Sequence, residues 1–314
     1  MDRTKKICRC LALVLLLLIA GQTWAQAAYT DVDGGYWASA AIEKWSGCGV
    51  LNGSGGSFYP TKPMTRAELM AMLSRIFGYQ GGQNPFGDVR ETDWYAPDIL
   101  KAYSKGVLTG SNDPQGVLQA RPDAPVTRAE AAAIIVRAFS LRNAGSEQEA
   151  FTDAVLPAWA MPAIMTMKAY GYMQGRGGGL FEPDGLLTRA EAAQLLSNII
   201  ALFINEGGRY TTDAAGNVVV NAQGVTLDGI TITGDLYLAD GIGEGRVTLK
   251  NVTVTGTTFV SGGGSGLIDI EACDLGRIVV RKAGLTLPVS GNDDTDTEGA
   301  AGDTDGSSTA DIDG

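Results

Sequence analysis

The sequence predicts a multidomain α plus β protein: an all-α region of three copied units, then a small β-rich repeat module, then an acidic tail. Three observations carry this reading. Thr65-Arg66-Ala67-Glu68 returns as Thr127-Arg128-Ala129-Glu130 and again as Thr188-Arg189-Ala190-Glu191, at spacings of 62 and 61 residues. A repeat of that length marks one supersecondary unit whose copies bury their apolar faces on each other. After Ile204 the periodicity turns from helical to alternating, in short runs of Val, Ile and Thr bounded by Gly, Asn and Asp. From Asn292 onward the chain is rich in Asp, Thr, Gly and Ser and has no basic residue, a composition that cannot bury enough apolar surface to fold. The expected segments are a leader at 1–27, repeats at 28–80, 81–142 and 143–204, a β module at 205–290 and a disordered tail at 291–314.

Lys5 and Lys6, the apolar run Leu11 to Ile19, and Ala25-Gln26-Ala27 have the order of a secretory signal peptide cut after Ala27. The competing reading is an uncleaved membrane anchor; the short apolar stretch and the A-x-A triplet favour export with cleavage. Cys8 and Cys10 leave with the leader, and Cys48 and Cys273, in different segments, are expected as two unpaired thiols. The mature chain carries 20 basic and 34 acidic residues, a balance of −14, which argues against a general nucleic-acid binder. Histidine is absent, removing Ser-His and Cys-His nucleophile pairs and His-based metal sites.

Within each copy the landmarks align. An aromatic-x-Asp triplet (Tyr29 to Asp31, Phe86 to Asp88, Phe151 to Asp153) precedes Trp37, Trp94 and Trp159. Twelve residues after each Trp stands Gly49, Gly106 or Gly171, and four further on Gly53, Gly110 or Gly175. A helix from the Trp to the first Gly, ended there by a left-handed cap, explains that interval. The Asp would accept backbone N–H bonds at the helix approach. A surface loop of variable length, carrying Asn112-Asp113-Pro114 or Gly177-Gly178-Gly179, ends at Pro60, Pro122 or Pro183. The next helix repeats one apolar face: Leu69, Leu73, Ile76, Phe77; Ala131, Ile135, Ala138, Phe139; Ala192, Leu196, Ile199, Ile200.

The tetrapeptide reads as a capping box. The Thr65, Thr127 and Thr188 hydroxyls accept from the third helical amide, and Glu68, Glu130 and Glu191 return to the cap amide. Arg at the first helical position opposes the helix dipole and is left unexplained. Held among free backbone N–H groups, its guanidinium would complete a receptor for carboxylate or phosphate. Its removal would then weaken binding with little loss of folding. The competing reading is a solvated Arg kept by duplication alone.

With aromatic-x-Asp, Trp, Gly and T-R-A-E in this order from Tyr29 to about Ile204, the chain resembles surface-layer homology (SLH) proteins. The resemblance implies a three-lobed helical domain with one long helix per repeat around a pseudo-threefold axis. It also implies grooves between lobes that bind secondary cell-wall polysaccharide noncovalently, often through a pyruvylated sugar. Carried over by position, Arg66, Arg128 and Arg189 would engage the sugar acid. Asp31, Asp88 and Asp153, with Trp37, Trp94 and Trp159, would form or support the groove walls, although a Trp at a helix start serves the core more often than it serves as a sugar platform. Ala120 stands where the other repeats have Phe58 and Phe181, Ala154 stands where the others have Val, and Lys62 and Pro63 have no clear counterparts. The second and third grooves are therefore expected to differ in affinity.

Val225 to Gly234 is matched by Val247 to Gly256, and a weaker copy begins at Ile268. Spacings of 22 and 21 residues suit about three coils of a parallel β-solenoid, and the segment resembles pieces of right-handed β-helices; an antiparallel β-sandwich is the alternative. Asp228, Asp235, Asp240, Asp269 and Asp274 are scattered and form no assignable acid and base pair. Leu287-Pro288-Val289-Ser290-Gly291 is followed by no apolar span, as a sortase signal would require. The D-x-D-G strings at Asp31, Asp303 and Asp311 continue into no EF-hand loop. The reading is a secreted, non-enzymatic cell-wall protein, needing no cofactor or metal, whose partner is secondary cell-wall polysaccharide and whose β module faces outward. The alternatives are a wall-bound polysaccharide-cleaving enzyme with its site in residues 205–290, and a surface-layer protein that self-associates through its β-coils.

Overall fold

The computed structural model of the chain describes residues 29–143, 151–153, 156–287 and 295–297. The expected leader lies outside these residues, as does the expected tail apart from Thr295–Thr297. Each repeat contributes a short helix and a long one: α1 (Ser39–Gly47) and α2 (Arg66–Phe77), α3 (Ala96–Ser104) and α4 (Arg128–Phe139), α5 (Met161–Ala169) and α6 (Arg189–Ile199). The short helices begin two residues later than the tryptophans, and Pro97 and Pro162 occupy first-turn positions where no amide bond is lost. They end as the spacing requires. Gly49, Gly106 and Gly171 have φ of 70°, 67° and 71°, the left-handed region in which a Cβ is costly. The second glycines answer to packing. A Cβ at Gly53 would lie 2.4 Å from the Tyr29 ring, at Gly110 2.8 Å from Phe86, and at Gly175 3.3 Å from Phe151.

Every residue of the expected apolar face is buried. The long helices are covered on further sides as well, at Met70, Met72, Ile134 and Leu195, because each short helix packs on the long helix of the preceding repeat: α3 on α2, α5 on α4, and α1 on α6. That last contact closes the circle. The variable loop of the second repeat tightens into an antiparallel pair, β1 (Ser111–Asn112) with β2 (Leu118–Gln119), around Asp113, whose carboxylate accepts from the Gln115 and Val117 amides.

Helices α2 and α4 end in left-handed Gly78 and Ser140, but α6 runs into Ile200, at φ −108° and ψ 106°. A β-branched residue resists the left-handed cap, so the chain passes without a linker into β3 (Ile200–Ile204). A solenoid follows. One parallel sheet has the order β4 (Gly208–Tyr210), β6 (Val225–Asp228), β9 (Val247–Lys250), β12 (Ile268–Glu271). A second runs β3, β5 (Asn217–Val220), β8 (Leu236–Leu238), β11 (Thr257–Val260), β13 (Arg277–Val280), β14 (Thr295–Thr297). The pair β7 (Thr231–Ile232) and β10 (Thr253–Val254) is parallel too. These pairings exclude the β-sandwich. The copies meet in register, Val225 beside Val247 beside Ile268. The sheet through β6 is four strands deep, because β3 and β4 add a coil that the sequence pattern does not announce.

The strands β5, β8, β11 and β13 are buried on both faces. Val218, Leu236 and Ile278 fill the solenoid interior. Their neighbours Val219, Tyr237, Phe259 and Val279 form one row across the sheet and join the helical core. Tyr237 packs edge-on to Phe77 and Phe139 at 5.9 and 5.6 Å, stacks on Phe259 at 5.0 Å, and donates its hydroxyl to the Phe139 carbonyl at 2.8 Å. Lys105 pairs with Asp240 at 2.9 Å, and Arg281 donates to the Ser140 hydroxyl at 2.6 Å. The module is therefore seated on the C-terminal ends of the long helices. Cys48 and Cys273 are free thiols.

Phe259→Ala should destabilise the protein by about 3–5 kcal/mol. Fluorescence of Trp37, Trp45, Trp94 and Trp159, all in the helical part, and far-ultraviolet dichroism should report one common thermal transition. Two separated transitions would contradict a shared core.

Candidate functional site

The three tetrapeptides lie together where the long helices start, at the end remote from the solenoid. Each is a complete capping box. Thr65, Thr127 and Thr188 accept from the Glu68, Glu130 and Glu191 amides at 3.2 Å, and each carboxylate accepts from its Thr amide at 3.0, 2.8 and 2.8 Å. The residues just before the caps bond in a ring: Met64 N–H to the Leu187 carbonyl, Leu187 N–H to Val126, and Val126 N–H to Met64, at 2.8–2.9 Å.

The first helical amides are not free, as the sequence reading supposed. The Arg66 and Ala67 amides donate to the Ala124 and Pro122 carbonyls, those of Arg128 and Ala129 to Gly185 and Pro183, and those of Arg189 and Ala190 to Lys62 and Pro60. The prolines at fixed spacing thus present carbonyls to the helix start of the preceding repeat. Nor are the arginines solvated. Arg66, Arg128 and Arg189 are 7%, 4% and 7% exposed, and their Nε atoms donate to the Ala120, Phe181 and Phe58 carbonyls, each at 2.9 Å. Arg128 and Arg189 add Nη2 bonds to the Gln174 and Asn52 carbonyls at 2.7 Å and lie over the Phe181 and Phe58 rings at 4.7 and 4.6 Å. Burial lowers the pKa of both, and Arg176 adds to the lowering at Arg128. Removing one of these side chains strands buried carbonyls, so a loss of folding stability is expected, contrary to the sequence-based expectation.

Asp31, Asp88 and Asp153 brace the receiving loops. Their carboxylates accept from the Phe58 and Tyr59, Ala120 and Arg121, and Phe181 and Glu182 amides, at 2.6–2.9 Å. The expected amide bonds exist, but to the loop before each proline and not to the following helix. They hold Tyr59, Arg121 and Glu182 at φ of 59°, 52° and 59°, strained for a side chain with a Cβ. For Asp31, burial pushes the carboxyl up, but the amides of Phe58 and Tyr59 outweigh it and hold the group below its ordinary value. The tryptophans divide. Trp37 and Trp94 are 58% and 62% exposed, correcting the core reading for those two, while Trp159 is half-buried against the core. Ring contacts join Trp37 to Tyr36 and Trp94 to Tyr95.

The three junctions differ in how the capping glutamate is neutralised. Glu130 takes Arg66 Nη1 at 3.1 Å. Glu68 takes Lys62 at 3.0 Å, with Arg189 Nη1 at 3.9 Å. Glu191 takes Arg176 at 2.7 Å, with Arg128 Nη1 at 3.6 Å. Sequence reading noted Lys62 only as lacking a counterpart and missed Arg176, whose signal is its place directly after the second glycine, where the other repeats have Ser54 and Ser111. Among the described residues no group of three or more His, Cys, Asp or Glu side chains is placed to hold a metal ion, and no helix is long and apolar enough to cross a membrane.

The S-layer homology domain matches residues 28–70, 85–132 and 151–193. An amylopullulanase of Thermoanaerobacterium thermosulfurigenes is 31% identical over 172 residues, 52% of this chain and 9% of that protein. The surface-layer 125 kDa protein of Lysinibacillus sphaericus is 27% identical over 194 residues, 60% of this chain and 16% of that one. The S-layer protein sap of Bacillus anthracis is 25% identical over 193 residues, 60% of this chain and 23% of that one. The chain thus spans less than a quarter of the length of these relatives. Three copies of the motif, closed into a ring and matched repeat by repeat, identify residues 28–193 as three S-layer homology repeats, which mark a secreted, cell-surface protein, with a parallel β-solenoid seated on them.

Proposed function

We propose that the chain anchors itself noncovalently to the bacterial cell wall by binding an acidic, pyruvylated sugar of the secondary cell-wall polysaccharide in the grooves between SLH repeats. SLH domains anchor proteins at the cell surface and bind wall polysaccharide in general; the acidic sugar and the residues that hold it are the proposal. One observation carries it. Three guanidiniums are fixed at one end of the molecule, each largely buried, where an ion pair or hydrogen bond to a carboxylate gains strength. Arg66, Arg128 and Arg189 supply the charge, with Trp37, Trp94 and Trp159 as candidates for groove walls or apolar sugar contacts. Asp31, Asp88 and Asp153 keep the loops in shape. The negative total of the chain does not oppose this, since charges more than about 8 Å away are largely screened at physiological salt.

The β module is proposed to be non-catalytic. Asp228 pairs with Arg209, and Asp269 with Arg246. Asp235 accepts from the Thr257 amide and Asp274 from the Gly276 amide. A cavity of about 460 Å³ between helices and solenoid, lined by Tyr79, Lys105, Arg137, Tyr237 and Arg281 among others, contains Asp240 as its only carboxylate among the described residues. Burial raises the pKa of that group against the pull of Lys105, but the paired carboxylates of glycoside hydrolysis are lacking there.

The chain from residue 28 should sediment with wall sacculi that carry their secondary polymer and stay in solution with stripped ones; equal sedimentation with both would sink the anchoring claim. Arg189→Ala should weaken that binding and also destabilise the fold by about 1.5–3 kcal/mol, the worth of hydrogen bonds to a charged group, read by thermal unfolding. Unchanged stability would remove the inter-repeat role of the arginine. Release of reducing ends from wall or pectin-like glycans by the same protein would favour the enzyme reading.

A further inference from the structure

The three inter-repeat junctions are internal controls for one another, because they share a capping glutamate, an arginine and a braced loop. What differs is the second cation. Between the third and first repeats, Lys62 gives one bond to Glu68 Oε1 at 3.0 Å, and Arg189 Nη1 stands off at 3.9 Å, beyond hydrogen-bond reach. The Lys62 side chain is 53% exposed, and an ammonium has three donors, so capacity for a further acceptor remains. Tyr59 on the receiving loop is 49% exposed. Arg189, Lys62 and Glu68 sum to one positive charge.

The junction between the second and third repeats is filled from within. Arg176 donates through Nε to Glu191 at 3.0 Å, and through Nη2 to both Glu191 oxygens at 2.7 and 2.8 Å and to the Leu186 carbonyl at 2.8 Å. Its Nη1 reaches Glu182 at 3.3 Å. All three nitrogens are committed, and the guanidinium lies so close over Gly185 that a Cβ there would meet Nη1 at 2.8 Å and the Arg128 side chain at 3.5 Å. Arg128 and Arg176 face Glu182 and Glu191, so the charges cancel. A ligand carboxylate would meet two carboxylates and a guanidinium already spent. Asp31 and Asp153 stand behind the two loops alike and do not distinguish them.

We propose that the groove between the third and first repeats, with Arg189 and Lys62 as its paired cations, is the acid-sugar site of this chain, and that Arg176 closes the groove between the second and third repeats against that ligand. This rests on the wall-polymer reading above and narrows it from the three arginines to Arg189. Lys62 is a specificity-determining residue in this account: by holding Glu68 it keeps Arg189 Nη1 available, and it adds a charge of its own. Arg176 does the opposite, locking Glu191 and sealing the junction.

Binding isotherms on polymer-bearing and stripped sacculi, for the wild-type chain from residue 28, Lys62→Gln and Arg176→Gln, test this. Thermal unfolding of each variant verifies that the ring is intact. Selective wild-type binding to polymer-bearing sacculi is the first requirement, and its failure removes the wall-polymer reading itself. Given that selectivity, Lys62→Gln should bind about tenfold more weakly, the effect of losing roughly one charge-assisted contact, and Arg176→Gln should bind within about twofold of wild type. Full affinity in Lys62→Gln, or a loss in Arg176→Gln as large as that in Lys62→Gln, would overturn the groove assignment while leaving anchoring in place.

Discussion

The structure depends on a ring of bonds in which each repeat completes the helix start of the one before it. An isolated long helix would leave its first amides unsatisfied. Here the capping box takes the third amide, the next repeat's proline carbonyl takes the second, and the carbonyl two residues after that proline takes the first. The arginine reaches across the same seam to a loop carbonyl. Because the third repeat returns to the first, no repeat is a free end. The same bonds fix the guanidiniums in place, so little ordering entropy would be left for the proposed binding to cost.

The ring also gives the molecule a direction. Helix starts gather at one end, and helix ends meet the solenoid through Phe77, Phe139, Tyr237 and Phe259. A 12-residue helix separates the two ends by about 18 Å. An anchor at the first end leaves the second free to carry other structure away from the wall. The docking row Val219, Tyr237, Phe259, Val279 fixes that module rigidly, where a stalk on a flexible linker would swing.

Much of this was legible in the sequence, where the signal was local. Thr and Glu three residues apart announce the capping box, a glycine twelve residues after each Trp announces the left-handed cap, and Val225 and Val247 stack because their spacing matches one coil. What was not legible was non-local. The Nε partners of Arg66, Arg128 and Arg189 lie 54, 53 and 131 residues away in the chain, so no window of sequence shows why an arginine is needed at that position. The aspartates bond loops 27 to 33 residues on. The first solenoid coil was missed because Gly208-Arg209-Tyr210 lacks alternation and borrows its order from β6. Strands of the second sheet, apolar on both faces, conceal which side meets the helices. Trp37 and Trp94, expected in the core or as groove support, stand outside the core.

The central claim is that acidic groups of a wall glycan are held by the guanidiniums at the helix starts. Titration calorimetry with polysaccharide released from sacculi, compared with the same polymer after its carboxylates are reduced to alcohols, tests it most directly. The account predicts saturable binding of the native polymer and affinity at least about tenfold lower for the reduced one. Equal affinity for the two would contradict it.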